Sequence, residues 1–306
     1  MHARSTRATA LTLGPLLAAV AGAVLTAAPA PAAASAGDVY FERSVMAAAD
    51  ARCRLFTPEI GSALRVAQAQ ARGAALRGGG AEAALRLSAE AARLRAAGVA
   101  CASPDLAVVA SRVRGAFEGY GRLARMSFPG DVAGWNANRT FAVGRPVWRL
   151  NQVGRLGNAP MSFGLAGRRG EPAQLLAIAD FSGGQTPYSA RLVLRDPQRA
   201  PDAYLGVMKV SATVRIPLSA RTPPRAAARV FTAEGRGDAD PALLPPGTRT
   251  GTAFRFPPAA AEAIAALDPR EAVTVEFLFE GATGSRQAYV EVGDFAAGRA
   301  FLTAGR

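Results

Sequence analysis

The hydrophobic period of this chain changes once, near Met126, and that change decides the fold class. From Asp38 to Met126 apolar residues recur at spacings of three and four, as on a buried helix face; from Ser127 onward they fall in short alternating runs broken by Gly and Pro. The expected architecture is therefore α+β. An all-helical bundle of about four helices is followed by an antiparallel β-rich sandwich or partly open barrel that ends in a helix. The parts read as 1–36, a cleavable signal; 37–127, the bundle; and 128–306, the β-rich domain, entered through the turn-rich Phe128-Pro129-Gly130-Asp131.

The first helix has Asp38 as its expected N-cap and Phe41, Val45, Ala49, Cys53 and Phe56 on one face. Thr57-Pro58 starts a second, carrying Ile60, Leu64 and Ala67, and Ser103-Pro104 starts a fourth, because a capping residue before a proline suits a first helical turn. The third, Ala81 to Gly98, is anchored by Leu85, Leu87 and Leu94; the stripe of the fourth is Leu106, Val109, Val113, Phe117 and Tyr120. In an up-and-down bundle the end of the first helix and the start of the fourth share one end. Those are the places of Cys53 and Cys101, so a disulfide is expected in an oxidising compartment.

Strands are expected at Thr140–Val143, Val147–Val153, Leu175–Phe181, Ala190–Arg195, Val207–Pro217, Arg229–Thr232, Thr250–Phe256, Ala272–Glu280 and Gln287–Val292, with helices at Ala259–Leu267 and Asp294–Thr303.

Arg4 and Arg7, the apolar Ala8–Ala28 and the small residues Ala34-Ser35-Ala36 make a secretion signal with cleavage after Ala36. An uncleaved anchor is the rival reading, since the apolar run is about twenty residues long. No later stretch has spanning length, so no transmembrane segment is expected after cleavage. The one histidine, His2, leaves with the signal. Net charge falls from +13 to +11 when Arg4 and Arg7 go, and Lys209 is the only lysine. Arginine is permanently protonated and forks onto carboxylate and phosphate, but it cannot serve as a lysine-type base. Such a chain is drawn to anionic partners. Arg65 and Arg72, and again Arg86 and Arg93, recur seven apart on helix faces that also carry Glu59, Glu82 and Glu90, as solvated faces do. No specific nucleic-acid motif occurs.

Without histidine, Ser/His/Asp and Cys/His nucleophile systems and His-ligated metals are excluded. Gly-x-Ser-x-Gly, the phosphate-binding loop and the dinucleotide fingerprint are missing, and two cysteines alone cannot complete a zinc site. No cofactor or metal is called for. What remains is carboxylate chemistry. If the turn Gly281–Arg286 sets Glu280 opposite Gln287, Glu276 falls opposite Glu291, and such a pair could split into acid and base for glycoside cleavage or bind a divalent ion. A neighbouring arginine would equally account for it.

Trp135, Asn136, Asn138, Arg139, Trp148 and Arg149 mix flat aromatic faces with polar forks, as a glycan-binding surface does; the alternative is packing. Arg236-Gly237-Asp238 spells an integrin-type tripeptide, Asp238 and Asp240 are spaced to ligate calcium in a loop, and Asn138-Arg139-Thr140 has N-glycosylation spacing. The reading that follows is a non-catalytic periplasmic or secreted protein that binds an anionic polymer, a glycan of the cell wall or an envelope protein. A carboxylate-based hydrolase using Glu276 and Glu291, and a structural or assembly subunit, are the alternatives.

Overall fold

In the computed structural model residues 34–181, 184–205, 216–281 and 284–303 are described. Four helices come first: α1 Ala36–Cys53, α2 Pro58–Arg77, α3 Glu82–Ala97 and α4 Pro104–Ala116. Six strands follow: β1 Arg125–Phe128, β2 Trp135–Asn138, β3 Val147–Leu156, β4 Ala159–Gly167, β5 Gln174–Ala179 and β6 Ser189–Arg195. Then come β7 Ala228–Thr232, β8 Gly235–Asp238, β9 Thr252–Phe256, α5 Pro258–Ala265, β10 Ala272–Leu278, β11 Ser285–Glu291 and α6 Phe295–Thr303. The strands make a seven-stranded sheet, β1-β2-β3-β4-β5-β9-β8, and a four-stranded sheet, β11-β10-β6-β7. Every pairing among the described strands is antiparallel.

Alternation builds the interior. Val273, Val275 and Phe277 of β10 point the same way as Ala190, Leu192 and Leu194 of β6, and meet Phe163, Phe254 and Phe256 from the larger sheet. Aromatic rings cross edge to face through this layer, as at Phe254 and Phe277 with centroids 5.4 Å apart. Helix α6 covers one end of the sandwich with Phe295 and Phe301, and α2 lies against α6 and sends Val66 into the same core. The other side of α2 packs on α1, where Leu64 joins Met46 and Ala49.

Helix starts follow the caps. Thr57 accepts from the Ile60 N–H, with Pro58 next. The first helix begins earlier than its Asp38 suggests. Ser35 is the N-cap and Asp38 is the third helical residue, each side chain bonding the other's backbone in a capping box. Cleavage after Ala36 would remove that cap. A chain beginning at Gly37 is accordingly expected to be less stable than one beginning at Ser35 by about 1 kcal/mol, which paired urea titrations of the two purified chains would read.

Cys53, the last residue of α1, and Cys101, in the link before α4, form a disulfide with their Cα atoms 5.5 Å apart, as the bundle topology requires. Three expectations change. Leu87 and Leu94 are each 70% exposed, because α3 turns only the stripe of Leu85, Ala92 and Ala96 inward; Val109 of α4 is exposed too. Thr140–Val143 is loop, since Asn138 ends β2 by accepting both the Thr140 N–H, at 2.9 Å, and its hydroxyl. β1, β2, β4 and β8 also form, unforeseen; β4 is buried on both faces for most of its length and so shows no alternation. Lys209 and most of the strand expected at Val207–Pro217 lie outside the described residues, as do residues 1–33 of the signal.

Candidate functional site

The two glutamates do not meet. Glu276 pairs with Gln287, and Glu291 with Ala272, so the hairpin is displaced by four residues from the expected register. The cause is the turn. Gly281 and Gly284 both adopt positive φ, 71° and 67°, and the Phe279 N–H donates to the Gly284 carbonyl, which closes the hairpin sooner than a turn at 281–286 would. Glu276 faces outward in a row that crosses the smaller sheet, Thr232, Arg191, Glu276 and Gln287, and it accepts from the Ser285 hydroxyl at 2.9 Å.

Glu291 is fully buried and has a structural partner set. Its carboxylate accepts the N–H groups of Asp131, Val132 and Ala133 at 2.6, 2.8 and 2.8 Å, with the Arg221 guanidinium 3.8 Å away. Around it, Arg221 reaches Asp131 at 3.0 Å, and Arg77 of α2 makes a two-pronged contact with Asp294 at 2.7 and 3.1 Å. Gln152 exchanges hydrogen bonds with the Glu291 backbone. This cluster ties α2, the turn after β1, β3, β11 and the entry to α6 into one polar knot. Burial pushes the Asp294 carboxyl above the ordinary range, which its bonds to Arg77 oppose. Burial likewise raises Glu271, which Arg195 grips at 2.7 and 3.0 Å.

The proposed glycan surface at Trp135, Arg139, Trp148 and Arg149 does not assemble as one exposed face. Trp135 is wholly buried on the core side of the larger sheet and donates to the Val292 carbonyl at 2.9 Å, whereas Trp148 packs on the opposite side and donates to the Leu243 carbonyl at 3.0 Å. Arg139 stacks 3.7 Å above the Phe301 ring and donates to the Phe301 and Tyr120 carbonyls; burial beside it pushes the Tyr120 hydroxyl up to about 12. Arg149 is buried 3.7 Å over Phe141. A β-bulge between Trp148 and Leu150 explains the scatter, because it turns Trp148 away from the core face that Trp135 and Leu150 share. Arg236-Gly237-Asp238 is strand β8 itself, extended on a sheet edge, with Arg236 bonded to the Pro187 carbonyl. Asp240 caps the turn at 241–243 and sits 3.8 Å from Arg168.

A hollow of mixed chemistry lies elsewhere, on the outer face of the larger sheet. A groove of about 420 Å³ runs between the 167–172 loop, Leu243 and β8. Its floor is apolar, from Ala166, Leu176, Ile178 and Ala253, and its walls carry Arg168, Arg255, Glu171 and Asp240. Arg255 and Gln174 link it to a second hollow of about 520 Å³, where Glu234, Glu262 and Arg299 join the lining. Arg255 is exposed and, among the described residues, makes no ion pair. Alternation in Thr252–Phe256 announces that Arg255 points away from Phe254 and Phe256. Its neighbours come from pairing β9 with β5 across more than seventy residues, for which the sequence carries no local signal.

No helix among the described residues is long and apolar enough to cross a membrane. Comparison with known proteins gives no match to a family model, to a curated protein or to a solved structure.

Proposed function

We propose that this is an exported, non-catalytic binding protein whose ligand is a hydroxyl-rich glycan of the cell envelope, held along the outer groove of the seven-stranded sheet. Export rests on the signal-like N-terminus and accords with the Cys53–Cys101 disulfide. One observation carries the ligand class: guanidinium and carboxylate groups together line a groove with an apolar floor. A sugar hydroxyl both donates and accepts, so it uses acids and arginines together, and its C–H faces suit the floor. A polyanion would meet Glu171 and Asp240 as repulsion.

The test is titration of the mature protein with solubilised neutral cell-wall polysaccharide. Replacing Arg255 by Ala should weaken binding about tenfold, the loss of one charge-assisted hydrogen bond, while binding by the unaltered protein should change little with salt. A steep loss with salt would point instead to a polyanion on the arginine surface. Release of reducing ends would contradict the non-catalytic reading.

A further inference from the structure

The smaller sheet ends in an open rim at β7. Where β6 meets β7, the Asp196 N–H donates to the Ala227 carbonyl and the Ala233 N–H to the Ala190 carbonyl, so antiparallel alternation turns the backbone groups of Arg229 and Phe231 toward β6. Those of Ala228, Val230 and Thr232 face away. The Ala228 N–H is taken by the Arg225 carbonyl, whereas the N–H and carbonyl of Val230 and of Thr232 have no partner among the described residues. Of the four strands that end the two sheets, β7 is the one that exposes a large apolar side chain, Val230 at 50%. At the opposite end of the same sheet β11 is partly closed, since Gln152 accepts the Glu291 N–H at 2.9 Å. β7 has neither a proline nor a bulge to blunt its edge, and its one charge, Arg229, lies 4.6 Å over the ring of Phe231 in the same strand.

We propose that this rim pairs with β7 of a second copy of the chain, antiparallel and centred on Phe231. The free groups select that occupant. A two-fold axis at Phe231 sets each Val230 opposite the other copy's Thr232, so every unpaired donor and acceptor of the two residues finds a partner, two hydrogen bonds for each Val230–Thr232 pair. Val230 also gains a β-branched neighbour on the exposed face. Charge points the same way. Two residues after β7 the chain enters β8, the last strand of the larger sheet, whose exposed Arg236 and Asp238 share one face. The same axis runs β8 antiparallel to its mate, an order in which Arg236 and Asp238 complement their own reverse; a parallel neighbour would set like charges together. Each outer groove is bounded by β8, so the pairing brings the two grooves to one seam. It does not depend on what they hold.

The experiment measures the mass of the mature protein by sedimentation equilibrium and then traps the pairing covalently. The unaltered protein should pass from monomer to dimer with rising concentration, and Val230→Lys should stay monomeric with its unfolding midpoint kept, since that side chain is exposed. Both native cysteines are bridged, so an introduced cysteine is the one free thiol. Mixed under mild oxidant, Val230→Cys and Thr232→Cys should form a covalent dimer at least about tenfold faster than either variant alone, because the mixed pair sits directly opposite, within disulfide reach, and the like pairs lie on a diagonal about 7–8 Å long. A protein that is monomeric throughout, a dimer that Val230→Lys leaves intact, or single variants that cross-link as fast as the mixture overturns the proposal. So does a monomer that captures a labelled peptide of alternating valine and threonine and loses it on Val230→Lys, which would give the rim to a different chain.

Discussion

Replacing Glu291 by Ala is expected to lower the unfolding free energy by about 3–5 kcal/mol, the cost of removing one partner from a buried charged cluster. The side chain is wholly enclosed and holds three consecutive backbone N–H groups of the 131–133 turn. Without it those part-buried donors lose their acceptor, and Arg221 loses a counter-charge. Glu291→Gln keeps the shape and one acceptor oxygen, so it should lose less. Gly130→Ala attacks the same knot sterically: a Cβ there would lie 2.2 Å from the Ala133 carbonyl oxygen and 2.8 Å from the Glu291 carboxyl carbon. Urea titrations of the three variants should rank Glu291→Ala and Gly130→Ala well below Glu291→Gln. A Glu291→Ala protein as stable as the parent would show that the knot is ornamental.

The second large effect is expected from Cys53→Ser/Cys101→Ser, about 4 kcal/mol in the chain-entropy treatment of a cross-link spanning 48 residues. The bridge joins the end of α1 to the link before α4, and α4 buries only Leu106 and Ala110. Besides the small apolar cluster around those two residues, the corner is held by Arg52 donating to the Val99 carbonyl and Arg114 to the Leu55 carbonyl. Reductant should lower the urea midpoint of the parent protein and leave the double serine variant where it is; equal midpoints for parent and variant in oxidising buffer would contradict the assignment.

Local chemistry was legible in the sequence and long-range pairing was not. Pro58 and Pro104 behind Thr57 and Ser103 place two helix starts to the residue, and the Val273, Val275, Phe277 alternation fixes the inward face of β10. The partner of each face depends on where turns close. Two glycines at positive φ moved the hairpin by four residues, and with it went the pairing of Glu276 and Glu291. Leu87 and Leu94 misled for a related reason: α3 is apolar on two sides, and among the described residues only the stripe of Leu85, Ala92 and Ala96 is covered. Trp135 and Trp148 are near in sequence yet are divided by a sheet. The groove joins β4, β5, β8 and β9, elements spread over about a hundred residues of chain, so none of its neighbours could be read from spacing.

Amide hydrogen exchange of the mature protein, with and without solubilised neutral cell-wall polysaccharide, puts the groove to its most direct trial. Protection should gather at 167–176 and at 235–255, with the polysaccharide recovered at its original length. Protection confined to the helices or to the smaller sheet, or a shortened polymer, would contradict it.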